Sequence, residues 1–180
     1  MRYRRSQAPG ATYFFTVVTY DRRPILCEPA HVDLLRSVLH TVKQRHPFQI
    51  EAFVLLPDHL HCIWTLPDGD ADFSMRWRLV KSYFARKCQA DRGSDRSIAR
   101  QHKQERNIWQ RRFWEHQIRD SRDFAAHVDY IHYNPVKHGY VTEARSWPYS
   151  SFARYVEADQ YPLDWGVSEL VQFPPTIGHE

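Results

Sequence analysis

The sequence is poor in the features that mark disulfide-bonded, secreted or membrane-spanning proteins. It has three cysteines, Cys27, Cys62 and Cys88, and no Cys-x-x-Cys pair. This small, odd number argues against a disulfide framework and a cysteine zinc site, and it favours a reducing compartment. No apolar run is long enough to span a bilayer, and no apolar segment follows the basic start as it would in a signal peptide.

Length and composition predict one globular domain. The chain has 180 residues, and 42% of them are hydrophobic, which is ample for a packed core. Lys and Arg outnumber Asp and Glu by 25 to 21, giving a formal net charge of +4, and there are 11 histidines. This balance suits a polyanionic partner such as nucleic acid, but many proteins without one are as basic.

Hydrophobic periodicity predicts an α+β fold. β-branched and aromatic runs predict strands, and a Pro-Asp turn predicts that the second and third form a hairpin. The predicted strands cover residues 11–20, 48–56, 59–66 and 108–118, and the predicted helices cover residues 30–44, 73–88 and 121–134. The order β-α-β-β-α-β plus a further helix is the ferredoxin-like, split βαβ arrangement, with a four- to five-stranded antiparallel sheet.

Two stretches lack this periodicity. Residues 91–106 predict a polar, mostly basic loop, and residues 143–180 are rich in turns and proline. We therefore predict a folded domain over residues 1–142 and an irregular C-terminal tail over residues 143–180. Ser121 is the predicted N-cap of the third helix, and Pro135 predicts that the helix ends near Tyr133 or Asn134.

The segment Pro57-Asp58-His59-Leu60-His61-Cys62-Ile63-Trp64 carries the first chemical signal. Because side chains alternate along a strand, His59 and His61 share one face while their neighbours form an apolar face that should meet the core. Two neutral imidazoles at this spacing can hold one divalent metal. The same pattern also occurs as two half-exposed histidines on a sheet surface, so both interpretations stay open.

A polar stripe on the third predicted helix carries the second signal. Asp123, His127, Tyr130 and Asn134 follow one another at spacings of four, three and four residues. If this helix packs on the open sheet face, Tyr130 supplies a phenolic oxygen and Asn134 an amide oxygen beside the histidines. A tyrosine helped by a divalent cation can attack a phosphodiester. Alternatively, Tyr130 is a packing residue and Asn134 a helix cap.

Basic residues suggest where nucleic acid would bind. An N-terminal arm, the polar faces of the second helix and the run Arg111-Arg112-Phe113-Trp114 offer charges for phosphates and rings for stacking. Alternatively, the arm is a frayed terminus and the basic helix faces are simply solvated. An ordinary amphipathic strand would explain the last run equally well. The candidate DNA-binding residues are Arg2, Arg4, Arg5, Arg76, Arg78, Lys81, Arg111 and Arg112.

Several motifs carry a family resemblance. They are His59-Leu60-His61, Tyr130-Ile131-His132-Tyr133-Asn134-Pro135-Val136-Lys137-His138-Gly139, Tyr13-Phe14-Phe15-Thr16-Val17, Leu56-Pro57-Asp58-His59, Phe113-Trp114-Glu115-His116 and Trp147-Pro148-Tyr149-Ser150. Together they resemble the single-tyrosine HUH transposases and, more narrowly, the REP-associated tyrosine transposases, which are bacterial proteins linked to repetitive extragenic palindromes. The likeness spans residues 3 to about 165.

The resemblance implies a catalytic site. His59 and His61 would bind Mg²⁺ or Mn²⁺, with Asn134 as a third ligand, and Tyr130 would attack single-stranded DNA to give a 5′-phosphotyrosine and a free 3′-OH. Residues 1–142 would form the HUH nuclease domain, with the tail on or near the active site. The substrate would be a palindromic-repeat hairpin. The protein would be a bacterial cytoplasmic monomer acting on the nucleoid, with a dimer as the alternative and no membrane partner.

Other functions remain compatible with the same residues. A non-catalytic domain that binds hairpin DNA or RNA needs neither a metal nor Tyr130, and a metal-dependent nuclease that uses water forms no covalent intermediate. Imidazole ligands ordinarily suit Zn²⁺, whereas Mg²⁺ prefers oxygen. A His-His-amide set that leaves positions for water and phosphate oxygens is compatible with Mg²⁺ or Mn²⁺.

Overall fold

A four-stranded antiparallel sheet organises the fold. The computed structural model describes residues 8–88, 107–167, 171–173 and 177–178. The strands are β1 (Thr12–Val18), β2 (Gln49–Leu55), β3 (His59–Thr65) and β4 (Trp114–Gln117), in the order β2-β3-β1-β4. The helices are α1 (Pro29–Arg45), α2 (Phe73–Lys87), α3 (Ser121–Lys137) and α4 (Phe152–Glu157). The predicted α+β, ferredoxin-like class is confirmed.

Helices cover both faces of the sheet because the central strand β1 is apolar or aromatic on each side. Phe15 faces α1 and α2 in the larger core, where Trp64 and Trp77 stack at 4.1 Å between ring centroids. Phe14 faces the opposite way and packs with Ile63 and α3. The face that carries the two histidines is therefore covered by the third helix, as predicted. No helix among the described residues is long and apolar enough to cross a membrane.

Helix α3 differs from its predicted limits at both ends. Its N-cap is Asp120, whose side chain accepts a hydrogen bond from the backbone N–H of Asp123 at 2.8 Å, and not the predicted Ser121. The helix also continues through the buried Pro135 to Lys137. The proline removes one backbone donor. The last turn is nevertheless held, because the N–H of His138 donates to the carbonyl of Asn134 at 3.0 Å.

Two other elements differ from the sequence prediction. Strand β4 is shorter than the predicted 108–118 because Trp109 makes only a single bridge to Thr19 and directs its ring onto Phe84. The predicted irregular tail contains α4, and just before it the backbone N–H of Leu55 donates to the carbonyl of Tyr149 at 2.8 Å. This pairing covers the exposed edge of β2, which would otherwise offer free backbone groups for association.

The structure contradicts the assignment of Arg76 to a DNA-binding surface. Its side chain is 1% exposed and makes a two-pronged ion pair with Asp70, at 3.1 and 2.6 Å. It also donates to the carbonyl of Pro47 at 2.8 Å. The hydrogen bond from Arg76 holds the pKa of Asp70 below its usual value. Arg76 therefore joins α2 to the end of α1, a role that its position in the sequence did not reveal.

A buried histidine makes the stability of the fold depend on pH. His132 is fully buried, with Nε2 2.8 Å from the hydroxyl of Ser151, and desolvation, assisted by Arg154, lowers its pKa from 6.5 to about 3. Because the unfolded chain binds the proton more tightly, the stability due to neutral His132 is lost as the pH falls from 6.5 towards 3. We expect about 2 kcal/mol to be lost between pH 7 and pH 5.

Urea unfolding of the wild type and of His132→Gln at the two pH values measures this contribution. The wild type should lose about 2 kcal/mol more free energy of unfolding than the variant across the interval. Parallel losses in the two proteins would show that His132 does not carry the effect.

Candidate active site

His59 is held in one orientation by Asp58. Its Nδ1 donates to the Asp58 carboxylate at 2.6 Å, and Arg22 donates to the other carboxylate oxygen at 3.0 Å. Burial raises the pKa of Asp58, but the hydrogen bonds from His59 and Arg22 outweigh this effect and bring the pKa below its usual value. With the proton on Nδ1, the lone pair of His59 lies on Nε2. This is the tautomer of a metal-ligating histidine oriented by a carboxylate.

His61 is held by the neighbouring strand. The β1–β3 register places it opposite Thr16, and the hydroxyl of Thr16 lies 2.9 Å from Nδ1 of His61. Phe14 stacks beside the imidazole at 5.4 Å. The rings of His59 and His61 lie 4.9 Å apart between centroids, and both are almost fully buried. The pair is therefore prearranged on the face that α3 covers.

Helix α3 brings its polar stripe to this pair. The ring of Tyr130 lies 5.3 Å from that of His61, and the ring of His138 lies 5.2 Å from that of His59. Asn134 is fully buried and occupies the turn between Tyr130 and His138 on the same helix face. His138 was not among the predicted site residues because the helix was predicted to end near Asn134, although the four-residue spacing of the stripe continues to His138.

These donors fit a divalent metal. His59 and His61 are each held through Nδ1, and Asn134 supplies a buried amide one turn from Tyr130. Together they offer both nitrogen and oxygen ligands. The ionised Asp58 behind His59 favours a cation at this position. His59, His61 and Asn134 are the residues that would hold it.

Tyr130 is enclosed by aromatic rings and by the C-terminal segment. Phe14 and Phe173 contact its ring edge-on, at 6.1 and 5.3 Å between centroids. Lys137 donates a hydrogen bond to its hydroxyl at 2.9 Å. A Cβ atom at Gly178 would clash with the same hydroxyl, so the backbone passes directly over the phenolic oxygen.

Gly178→Ala should therefore loosen the C-terminal segment. Its methyl group has no room beside Tyr130, and a φ of +74° is itself strained for alanine. Gly139→Ala is the matched control, because Gly139 has a φ of +71° with no atom within 4 Å of the added Cβ. We expect faster hydrogen exchange in the peptide containing Phe173 and Gly178 in Gly178→Ala only. Equal protection in both variants would contradict this close contact.

A second group of possible ligands lies at the start of α3. Donor atoms of His116, Asp123 and His127 fall within 4.8 Å of one another. However, one oxygen of Asp123 already accepts from Nε2 of His116 at 2.8 Å and from Arg119 at 3.0 and 3.2 Å. Burial raises the pKa of Asp123, but these donors overcome it and lower the pKa to about 2.

The geometry of this group favours a hydrogen-bond network. The rings of His116 and His127 stack at an angle of 15°, so their in-plane lone pairs run side by side and do not converge on one ion. His127 also donates from Nδ1 to the carbonyl of Asp123 at 2.8 Å. The network joins β4 to the first turn of α3, and it thereby fixes the helix that carries Tyr130.

The remaining predicted DNA-binding residues have different surroundings. Arg78, Arg111 and Arg112 are exposed. Lys81 donates to the backbone carbonyls of Gln110 and Arg111, and so it tethers the segment before β4 to α2. Arg2, Arg4 and Arg5, like the predicted loop at 91–106, lie outside the described residues.

The aromatic pair next to Arg112 is divided between the two faces of the sheet. Phe113 packs in the larger core, 5.9 Å from Phe15 between ring centroids. Trp114 lies on the side of Tyr130 and contacts Phe14 at 5.8 Å. Only Trp114 of this pair is therefore placed on the sheet face that carries the candidate site.

Comparisons with known proteins agree with the fold and the motifs. Residues 8–134 match the family described as "Transposase IS200 like". The chain is 47% identical over 163 residues to the REP-associated tyrosine transposase of Escherichia coli (strain K12), covering 91% of this chain and 89% of that protein. A second relative, a REP-associated tyrosine transposase by its description, comes from Haemophilus influenzae. It is 44% identical over 165 residues, and the match covers 91% of this chain and 92% of that protein.

A solved structure gives the same result. The structure of a REP-associated tyrosine transposase bound to a REP hairpin has a TM-score of 0.76 to this chain at 42% sequence identity, and the match covers 99% of each chain. Sequence and fold agree over nearly the full length. The chain belongs to the REP-associated tyrosine transposases, within the IS200-like transposase family.

Proposed function

We propose that this chain is a metal-dependent endonuclease and strand transferase that acts on single-stranded DNA at palindromic-repeat hairpins. The observation that carries the proposal is the position of Tyr130 in a site whose donors fit a divalent metal. The ring of Tyr130 lies 5.3 Å from that of His61 between centroids. The relative solved with a REP hairpin, at 42% identity, supports hairpin DNA as the substrate.

The proposed reaction is a transesterification at phosphorus. The oxygen of Tyr130 bonds to the phosphorus as the bond to the 3′-oxygen breaks. The phenolic proton passes to solvent, and the departing oxygen takes up a proton to become a 3′-OH. Because one phosphoester replaces another, a second 3′-OH can displace the tyrosine and join a new strand. A divalent metal held by His59, His61 and Asn134 would polarise the phosphate and offset its charge.

Protein groups have to position the DNA for this step. A phosphate backbone crossing the sheet near β4 would meet the exposed Arg111 and Arg112, and Arg78 adds charge on α2. In the proposed site Tyr130 acts with His61 of its own chain, against which it packs, and the reaction calls on no residue of a second protomer. This arrangement supports a monomer as the active form.

The proposal is tested with labelled single-stranded DNA that carries a REP hairpin and its flanking bases. The protein is incubated with this DNA in Mn²⁺ or in EDTA, and the products are separated on a denaturing protein gel. We expect a metal-dependent covalent protein–DNA band. Firm hairpin binding without cleavage would favour the non-catalytic binding domain, and cleavage without a covalent band would favour hydrolysis by water.

A further inference from the structure

We propose that Lys137 is a further catalytic residue, which holds the reacting oxygen of Tyr130 during both cleavage and rejoining of the strand. Its Nζ donates to the phenolic oxygen at 2.9 Å and lies 4.8 Å from the centroid of the tyrosine ring. One ammonium group thus contacts both the nucleophilic atom and the π face beside it. The inference rests on the proposed function, since it assigns a role toward the same nucleophile.

The geometry of α3 makes this contact possible. Lys137 follows Tyr130 by seven residues, which is nearly two turns at about 3.6 residues per turn, so both lie on one face. Helical side chains lean towards the N-terminus, and the long lysine side chain therefore reaches back over Tyr130. The contact depends on the helix continuing through Pro135. A helix that ended at Asn134 would not place Lys137 on this face.

The chemistry of an ammonium group suits this position. It has three donors and no acceptor, so the phenolic oxygen accepts the hydrogen bond and its own proton leaves in another direction. Such a bond strengthens as the oxygen gains negative charge. In cleavage, this charge is greatest as the phenolic proton leaves and before the new bond to phosphorus is complete. In rejoining, the same oxygen is the leaving group and regains the charge, so the donor favours both directions.

The alternative role for Lys137 is a contact to a DNA phosphate, because the residue as a whole is exposed. A phosphate contact would act on hairpin binding and would be equally important for binding without catalysis. A donor to the tyrosine oxygen would act on the rate after binding, in both directions of the reaction. The two roles therefore give different results in binding and single-turnover experiments.

The experiment compares Lys137→Ala and Lys137→Arg with Lys43→Ala, an exposed lysine on α1 whose removal costs the same charge. At saturating hairpin DNA and Mn²⁺, we expect Lys137→Ala to form the covalent product about 100-fold more slowly, as for the loss of one transition-state donor. Lys137→Arg should recover most of the rate, and Lys43→Ala should match the wild type. Adduct isolated from Lys137→Ala should also rejoin to a 3′-OH strand more slowly.

A substrate with sulfur in place of the bridging 3′-oxygen separates the two oxygens on which Lys137 could act. Thiolate leaves without protonation, so a donor to the 3′-oxygen becomes unnecessary, whereas a donor to the tyrosine oxygen does not. We expect the defect of Lys137→Ala to persist with this substrate. Disappearance of the defect, a wild-type rate with the normal substrate, or a defect explained entirely by weaker hairpin binding would each overturn the proposal.

Failure of this inference is distinguishable from failure of the proposed function. If Tyr130→Phe still forms the covalent product, Tyr130 is not the nucleophile, and the proposed reaction at Tyr130 and the role of Lys137 fail together. If Tyr130→Phe is inactive and Lys137→Ala reacts like the wild type, only the role of Lys137 is wrong.

Discussion

Replacing Tyr130 with phenylalanine should abolish the covalent protein–DNA product and leave the fold and hairpin binding intact. The phenyl ring keeps the edge contacts with Phe14, His61 and Phe173, and only the hydroxyl and its hydrogen bond to Lys137 are lost. Removal of an enzyme's nucleophile typically costs about 10⁴-fold or more in rate. The measurement is single-turnover formation of the covalent band, with hairpin affinity and urea unfolding measured in parallel.

Tyr133→Phe is the matched control for this experiment. Tyr133 lies on the same helix and is also buried, but its ring packs against Trp165 and Phe173, away from His61. We expect this variant to form the covalent product at the wild-type rate. Loss of the product in Tyr133→Phe with retention in Tyr130→Phe would reassign the nucleophile to Tyr133.

Replacing His61 with glutamine should remove divalent metal binding and the covalent product together. His61 is fully buried and prearranged by Thr16, and glutamine keeps much of its volume but supplies no imidazole nitrogen. Thr16→Val, which removes the partner of Nδ1, should weaken Mn²⁺ binding by about 10- to 100-fold, as is usual for a group that orients a metal ligand. Calorimetric titration of each purified variant with Mn²⁺ gives these affinities independently of DNA cleavage.

His31→Gln provides the buried-histidine control. His31 lies on α1 in the other core, with Nδ1 2.7 Å from the carbonyl of Ile25, and it should bind no metal of the site. We expect unchanged Mn²⁺ affinity in this variant. Unchanged affinity in His61→Gln as well would show that the metal, if one is used, is held elsewhere.

The parts of the fold that follow from local rules were predictable from the sequence. Alternation along residues 59–66 placed both histidines on the face opposite the apolar core, and the structure has this arrangement. The stripe of His127, Tyr130 and Asn134 was also visible, because helical spacing is a local property. With the third helix packed on the open sheet face, these local patterns predict that Tyr130 lies beside His61.

The features that sequence reasoning missed depend on contacts between distant residues. Arginine is usually a surface residue, so the sequence alone does not predict that Arg76 is buried. Its burial is explained by hydrogen bonds from its guanidinium group to Asp70 and to the carbonyls of residues 46 and 47. Pro135 predicts a helix end from local sterics, yet packing holds the helix to Lys137. Lys137 and His138 were not predicted as site residues for this reason. Both lie at the C-terminal end of α3, beyond the point where the proline predicts the end of the helix.

Mass spectrometry of the protease-digested reaction product tests the central claim most directly. After reaction with hairpin DNA and Mn²⁺ and nuclease trimming, fragmentation of the modified peptide locates the attached nucleotide. The account predicts a 5′-phosphonucleotide on Tyr130 and a free 3′-OH on the released strand. DNA cut in the presence of Mn²⁺ with an unmodified Tyr130 peptide would contradict the covalent tyrosine mechanism.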